Sequence, residues 1–115
     1  MQYLLMIYHD DATMQSRSEA ETGQVIAAYM AYTEAMNKAG IVVGSNRLRP
    51  AATATTVRVA NGKTQILNGP YAETREQLGG YYLIDVPDLD TALSWASRCP
   101  GASHGTMEVR PIWTM

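Results

Sequence analysis

Apolar positions recur along this chain with two different periods, and the places where the period changes divide it into elements. Residues 2–9, QYLLMIYH, are apolar at both odd and even positions, the pattern of a strand covered on both faces. Capping boxes stand at Ser16 with Glu19 and at Ser18 with Glu21; beyond them Val25, Ile26, Tyr29, Met30, Thr33 and Met36 recur at helical spacing until Gly40. This predicts a long amphipathic helix over roughly residues 19–39. IVVGSNRLRP, residues 41–50, is β-branched at first and closed by Pro50, so it reads as a second strand carrying Arg47 and Arg49 near its far end. Two strand-like runs then flank Asn61-Gly62 and predict a hairpin over residues 53–67, because a type I′ turn needs positive φ at both central residues. GGYYLIDV, residues 79–86, makes another strand apolar on both faces. Asp88 caps a second helix whose Leu89, Ala92, Leu93 and Ala96 share a face, and Cys99-Pro100-Gly101 ends it. The remainder, from Ser103 to Pro111, reads as a loop and a closing strand.

The order is strand, helix, strand, hairpin, loop, strand, helix, strand. Without the hairpin it is βαββαβ, the ferredoxin-like α+β pattern, with an antiparallel sheet that carries both helices on one face. The other face of such a sheet should be wet, yet its first and last-but-one strands are apolar on both parities. That surface is of the kind that marks an interface, so the expectation is a homodimer whose sheets pack face to face, a dimeric α+β barrel.

Composition narrows the picture further. With 115 residues the chain has room for one domain with a real core, and its 46% apolar and 17% charged content is that of a globular protein. Phe is absent and seven Tyr and seven Met take its place, so this core can line a pocket with hydroxyl groups. A net charge of −2 with scattered Lys and Arg offers no stripe for a phosphate backbone, and no nucleic-acid partner is expected. The single Cys99 cannot form an internal disulfide and reads as inert; with no export signal, a cytoplasmic location is expected. The N-terminal apolar run is too short for a signal peptide or a span and meets His9, Asp10 and Asp11 at once, so no membrane is expected.

NGPYAETREQLGGYYLIDV, residues 68–86, followed by DLDTALSWASRCP and MEVRPI, resembles the DGPF-type branch of the YCII-related proteins. The likeness runs from the first strand to Arg110. It implies a dimeric α+β barrel of the ferredoxin-like kind and a cleft, in a family where many members have no established chemistry. Asn68 stands where the branch has Asp, and Tyr71 where it has Phe. An amide cannot act as a carboxylate base, so if position 68 were the essential base this member would be inactive; if position 68 only holds the loop, the exchange is conservative.

The loop itself supports two readings. Pro70 fixes φ, Asn68 can accept from amides two or three residues on, and AETREQL can form a helical turn whose free N–H groups face the cleft and hold an anion. Alternatively Glu73, Thr74 and Arg75 only satisfy one another and the nearby backbone. Gly79-Gly80 fits a bulge or a close approach by ligand or chain.

His9 and Asp10 resemble an acid–base pair, and YCII-related proteins outside this branch are associated with a His and Asp arrangement. Neighbours on a strand point to opposite faces, however, so these two cannot pair unless the strand ends at His9 and bends. His104, in a Gly-rich stretch, reads as solvated, and Trp95, off the apolar helix face, as an interface residue. Glu108 and Arg110 share a parity opposite Met107 and Val109, which puts both charges on the dimer-facing side. The candidate pocket is therefore lined by Tyr8, Arg47, Arg49, Tyr81, Glu108 and Arg110, with Glu73 and Arg75 at its rim; the rival reading is an ion-pair network across the dimer.

No nucleophile elbow, nucleotide loop or metal cluster stands in the chain, so no cofactor or metal is expected, and any chemistry would be proton transfer by His9 or Glu108. The expected ligand is a small polar or anionic metabolite. The alternative is a non-catalytic regulatory or interaction module linked to transcription or stress response.

Overall fold

A computed structural model describes residues 1–114. Four strands form the main sheet: β1 (Gln2–His9), β2 (Val42–Arg47), β5 (Gln77–Asp85) and β6 (Thr106–Pro111), in the order β2-β5-β1-β6 with every neighbouring pair antiparallel. Two further strands, β3 (Thr55–Ala60) and β4 (Lys63–Asn68), pair only with each other. The long helix α2 (Glu19–Lys38) and the shorter α3 (Leu89–Arg98) follow β1 and β5. With the hairpin set aside this is βαββαβ with the first and third strands central, the ferredoxin-like α+β fold.

Local chemistry accounts for the boundaries. Ser18 caps α2 by accepting from the Glu21 amide at 3.1 Å while its hydroxyl donates to Glu21 Oε1 at 3.1 Å. Gly40, at φ 71°, closes the same helix, and the Ile41 amide bonds the Met36 carbonyl at 3.3 Å. Asp88 accepts from the Thr91 amide at 2.8 Å and starts α3. Asn61 and Gly62 both have positive φ, as the two-residue turn between β3 and β4 requires.

The core lies between the sheet and the two helices. Tyr3, Leu5 and Ile7 of β1 and Tyr82 and Ile84 of β5, with Val86 just beyond, meet Tyr32 and Met36 of α2, Ala92 and Ala96 of α3, and Cys99. Leu5, Met36 and Ile84 are fully buried, each contributing on the order of 1.5–3 kcal/mol by leaving water. Tyr32 ties the layers together: its ring meets Tyr82 edge-on at 5.4 Å and its hydroxyl donates to the Trp95 carbonyl at 2.7 Å.

Several expectations need correction. Two short helices appear where strand end and loop were expected, α1 (Asp11–Gln15) after β1 and α4 (Gly101–His104) before β6. No helical turn forms within residues 71–76. There the Thr74 hydroxyl donates to the Glu76 carbonyl at 2.5 Å and the Gln77 amide side chain to the Thr74 carbonyl at 2.6 Å, satisfying the loop without helical bonds. Trp95 packs beside the chain's own core, with the Arg98 guanidinium 4.2 Å above its ring centre. Of the expected α3 face, Ala92 and Ala96 are buried while Leu89 and Leu93 remain exposed.

The far face of the sheet carries no helix. Leu4 stands opposite Leu83 and Met6 opposite Tyr81, all half-buried, with Arg110 and Glu108 on the next strand across from Leu4 and Met6. The hairpin presents Val57, Val59 and Ile66 on one face, all exposed, with Val57 opposite Ile66. The projecting hairpin helps explain a radius of gyration of 16.1 Å, against about 13 Å for a compact chain of this length.

Candidate functional site

The site begins where β1 ends. His9 is the last residue of that strand, and the chain turns into α1 by placing Asp10 at the cap, where one carboxylate oxygen accepts from the amides of Ala12 at 3.0 Å and Thr13 at 3.4 Å. The turn carries Asp11 back alongside His9, so that His9 Nε2 lies 3.0 Å from Asp11 Oδ1. Asp11 is itself fixed, since Oδ2 accepts from the Ala51 amide at 2.9 Å and its own amide donates to Gln77 Oε1 at 3.3 Å. Both side chains keep about a fifth of their surface, 22% for His9 and 19% for Asp11. A carboxylate can only accept, so an acid placed this close favours the tautomer with its proton on Nε2 and leaves Nδ1 turned to other partners.

Gly79 makes this position possible. A β-bulge in the pairing of β1 with β5 falls at Ile7 and Tyr8, and opposite it the imidazole of His9 fills the space that a Cβ on Gly79 would take. The Gly-Gly pair serves both expected purposes, a bulge and a close approach, and the approaching group is a side chain of the site itself.

Two cavities meet at His9. One, of about 580 Å3, is polar and includes His9, Asp10, Arg17, Arg75, Glu76 and His104 in its wall. The other is a groove of about 1020 Å3 between α2 and the sheet, where Ile7, Val25, Ile26, Tyr29, Met30 and Tyr82 supply apolar surface and Arg47, Asn46 and Tyr81 line the β2 side. His9, Met14 and Arg17 border both. Arg17 occupies the corner between α1 and α2, and its Nη1 is shut off from solvent with no hydrogen-bond partner among the described residues. The neighbouring acids are otherwise engaged: Asp10 Oδ2 lies 3.9 Å from Arg75 Nε, and Glu76 Oε1 accepts from the Thr106 hydroxyl at 2.6 Å.

The tyrosines of the groove are hydrogen-bonding walls rather than bases. Burial pushes the phenols of Tyr29 and Tyr82 above their ordinary value, so both stay protonated, and Tyr82 shares a 2.7 Å hydrogen bond with Thr33. Burial likewise raises the thiol of Cys99, which is enclosed in the core. No group of three or more His, Cys, Asp and Glu side chains suited to a metal occurs among the described residues, and no helix is long and apolar enough to cross a membrane.

The residues expected to share one pocket are divided by the fold. His9 and Arg75 come together in the polar cavity and His9 and Arg47 in the groove, which Tyr81 borders at the sheet, while the Tyr81 side chain lies on the open face opposite Met6 and accepts from Asn46 at 2.8 Å. Tyr8, Arg49, Glu73, Glu108 and Arg110 line neither cavity. Glu108 and Arg110 pair with each other at 2.6 Å on the open face, with side chains 40% and 69% exposed. Asn68 is exposed at the end of β4 and makes no side-chain hydrogen bond among the described residues. His104, expected in solvent, is exposed but borders the polar cavity.

Sequence reasoning missed Asp11 and Arg17. The signal for Asp11 was present in the two consecutive Asp residues after His9: once Asp10 caps a helix, the next residue swings back toward the strand end. Arg17 had no such signal, because its role depends on the angle between two helices.

The family model of the YCII-related domain matches residues 1–115. An uncharacterized protein of Rhizobium meliloti (strain 1021) is 38% identical over 114 residues, covering 97% of this chain and 92% of that protein. Two matches that each run almost end to end, over a fold of the kind such a domain forms, leave one conclusion: the chain belongs to the family of YCII-related proteins.

Proposed function

We propose that this protein, a member of the DGPF-type branch, is a cytoplasmic homodimer that binds a small anionic metabolite in the cleft at the end of β1 and moves a proton on it with His9. The observation that carries this reading is the 3.0 Å contact of His9 Nε2 with an Asp11 carboxylate whose other oxygen is already held by backbone. A base held by an orienting acid, partly shielded and facing a cavity, has the parts that proton transfer requires. Asp11 fixes the tautomer and steadies the imidazolium that forms when Nδ1 takes a proton. Arg17, Arg75 and His104 supply donors for a bound anion. With His9 at this position, Asn68 is not needed as a base, and its replacement of the branch's Asp is compatible with activity.

Dimerisation enters through the uncovered sheet face. Leu4, Met6, Tyr81 and Leu83 form an apolar band flanked by the Glu108–Arg110 pair, and a second copy of the same face would cover it. The exposed Val57, Val59 and Ile66 of the hairpin add apolar surface for the same partner.

The test is a thermal-shift screen of anionic metabolites, followed by proton NMR of each binder in deuterium oxide. Catalysed exchange of a carbon-bound proton, reduced on the order of 10²–10⁴-fold in His9→Gln, is the expected result. Binders that neither exchange nor react with the wild-type protein would replace this reading with that of a regulatory binding module.

A further inference from the structure

We infer that the occupant of the cleft is an amphipathic carboxylate, with its carboxylate on Arg17 and its hydrocarbon or aryl body along the groove beneath α2. The inference rests on the reading of the cleft as a ligand site and adds the class of ligand. Its starting point is Arg17, whose side chain borders both cavities and enters no ion pair among the described residues, its Nη1 lying shut off from solvent. An unpaired donor on a permanent charge is costly to bury, and the protein's own acids do not relieve it. Asp10 is engaged by the α1 amides and Arg75, Asp11 by His9 and Ala51, and Glu76 by Thr106. A carboxylate at the cavity-facing side of this guanidinium is the natural complement.

The two cavities decide the rest of the ligand. Arg17 and His9 stand on the boundary between the polar cavity and the groove, so a group held there has an apolar channel on one side. Along that channel lie Ile7, Val25, Ile26, Tyr29, Met30 and Tyr82, of which Met30 and Ile26 are 68% and 45% exposed. A groove of about 1020 Å3 exceeds the needs of a two-carbon acid and suits a molecule with a ring or a chain. The head is a singly charged carboxylate rather than a phosphate: Asp10 and Glu76 also border the polar cavity and would repel a dianion, Arg75 stands beside Asp10, and the planar Arg17 guanidinium matches a planar carboxylate.

Calorimetric titration of the full chain with phenylacetate, octanoate, acetate, 2-phenylethanol and phenyl phosphate tests this. Phenylacetate and octanoate are expected to bind at least tenfold tighter than acetate, 2-phenylethanol or phenyl phosphate. Arg17→Gln should weaken phenylacetate on the order of tenfold to a hundredfold, the range of a charge-assisted hydrogen bond. Met30→Glu, at a surface position that folding tolerates, should also weaken phenylacetate by putting a like charge beside the channel. Equal binding of 2-phenylethanol, tighter binding of phenyl phosphate, or unchanged phenylacetate affinity in both Arg17→Gln and Met30→Glu overturns the carboxylate assignment and leaves the acid–base reading standing. Failure of every probe to bind overturns the cleft as a ligand site and both readings with it. Phenylacetate binding without any proton exchange supports this inference while removing the catalytic one.

Discussion

The imidazole of His9 lies where a Cβ on Gly79 would have to be. The Gly79 backbone is extended β-strand without positive φ, so the demand for glycine is steric rather than conformational. Gly79→Ala should therefore drive His9 off Asp11 at a cost of about 1–3 kcal/mol, the usual range for overpacking. In a His9→Ala background the same substitution should cost less than about 1 kcal/mol. Urea denaturation of the four proteins measures the coupling, and equal costs in the two backgrounds would show that the ring does not depend on the missing methyl.

Asp11 sets one oxygen 3.0 Å from His9 Nε2 and accepts from the Ala51 amide with the other. Asp11→Ala should cost about 1–3 kcal/mol, because the Ala51 donor and the imidazole both lose their partner. The more specific readout is nitrogen NMR of His9 at a pH where the ring is neutral. The wild type should show the proton on Nε2, and the variant a mixture of tautomers. An identical spectrum in both would remove Asp11 from its orienting role.

Leu4 and Leu83 face each other across β1 and β5 on the side of the sheet that no helix covers. The proposed dimer would bury this face, and if it does, Leu83→Asp should convert a species of twice the chain's mass into one of the chain's mass in sedimentation velocity, since a charge at the centre of that face would have no partner. Its circular dichroism should stay that of the folded chain, because this side of Leu83 takes no part in the helix-covered core. A wild-type protein that sediments as a monomer at high concentration would be evidence against the dimer.

The core should fail in alkali before it fails in mild acid. Burial raises the phenols of Tyr29, Tyr32 and Tyr82 and the thiol of Cys99. These groups favour the fold fully while both states are protonated, below the unfolded values of about 8.5 for the thiol and about 10 for the phenols. As pH rises past those values the unfolded chain loses protons that the folded one keeps, and stability falls until the folded groups titrate in turn. Midpoints of urea unfolding between pH 7 and 11 should decline from about pH 8.5 and more steeply above about pH 10. A flat profile to pH 11 would mean that these side chains are far wetter than the fold places them.

The element order was legible because each element carries its own local signal. The Ser18 and Asp88 caps, the Asn61-Gly62 turn and the odd and even parities of β1 and β5 are readable within a few residues, and the structure uses each as written. Met107 and Val109 face the helices and Glu108 and Arg110 the opposite side, as their parity implied. What misled was proximity beyond one element. Trp95 looked like a surface residue by helical phase, yet Tyr32 from the other helix reaches it. The loop before β5 looked helical by composition, yet Thr74 and Gln77 satisfy it from within.

From its sequence alone, this chain specifies its strands, the two longer helices α2 and α3, and the order of these elements, since hydrophobic period, caps and turn residues act over one to four positions. The family likeness follows from the same local record. Only the tertiary structure selects Asp11 rather than Asp10 as the partner of His9, brings Arg17 and Arg75 to the same cavity, and sets Glu108 with Arg110 apart on the open face. The reason is geometric. A site is made by the angle at which one element leaves another and by the space a neighbour vacates, as Gly79 does for His9, and neither quantity is encoded within a single element.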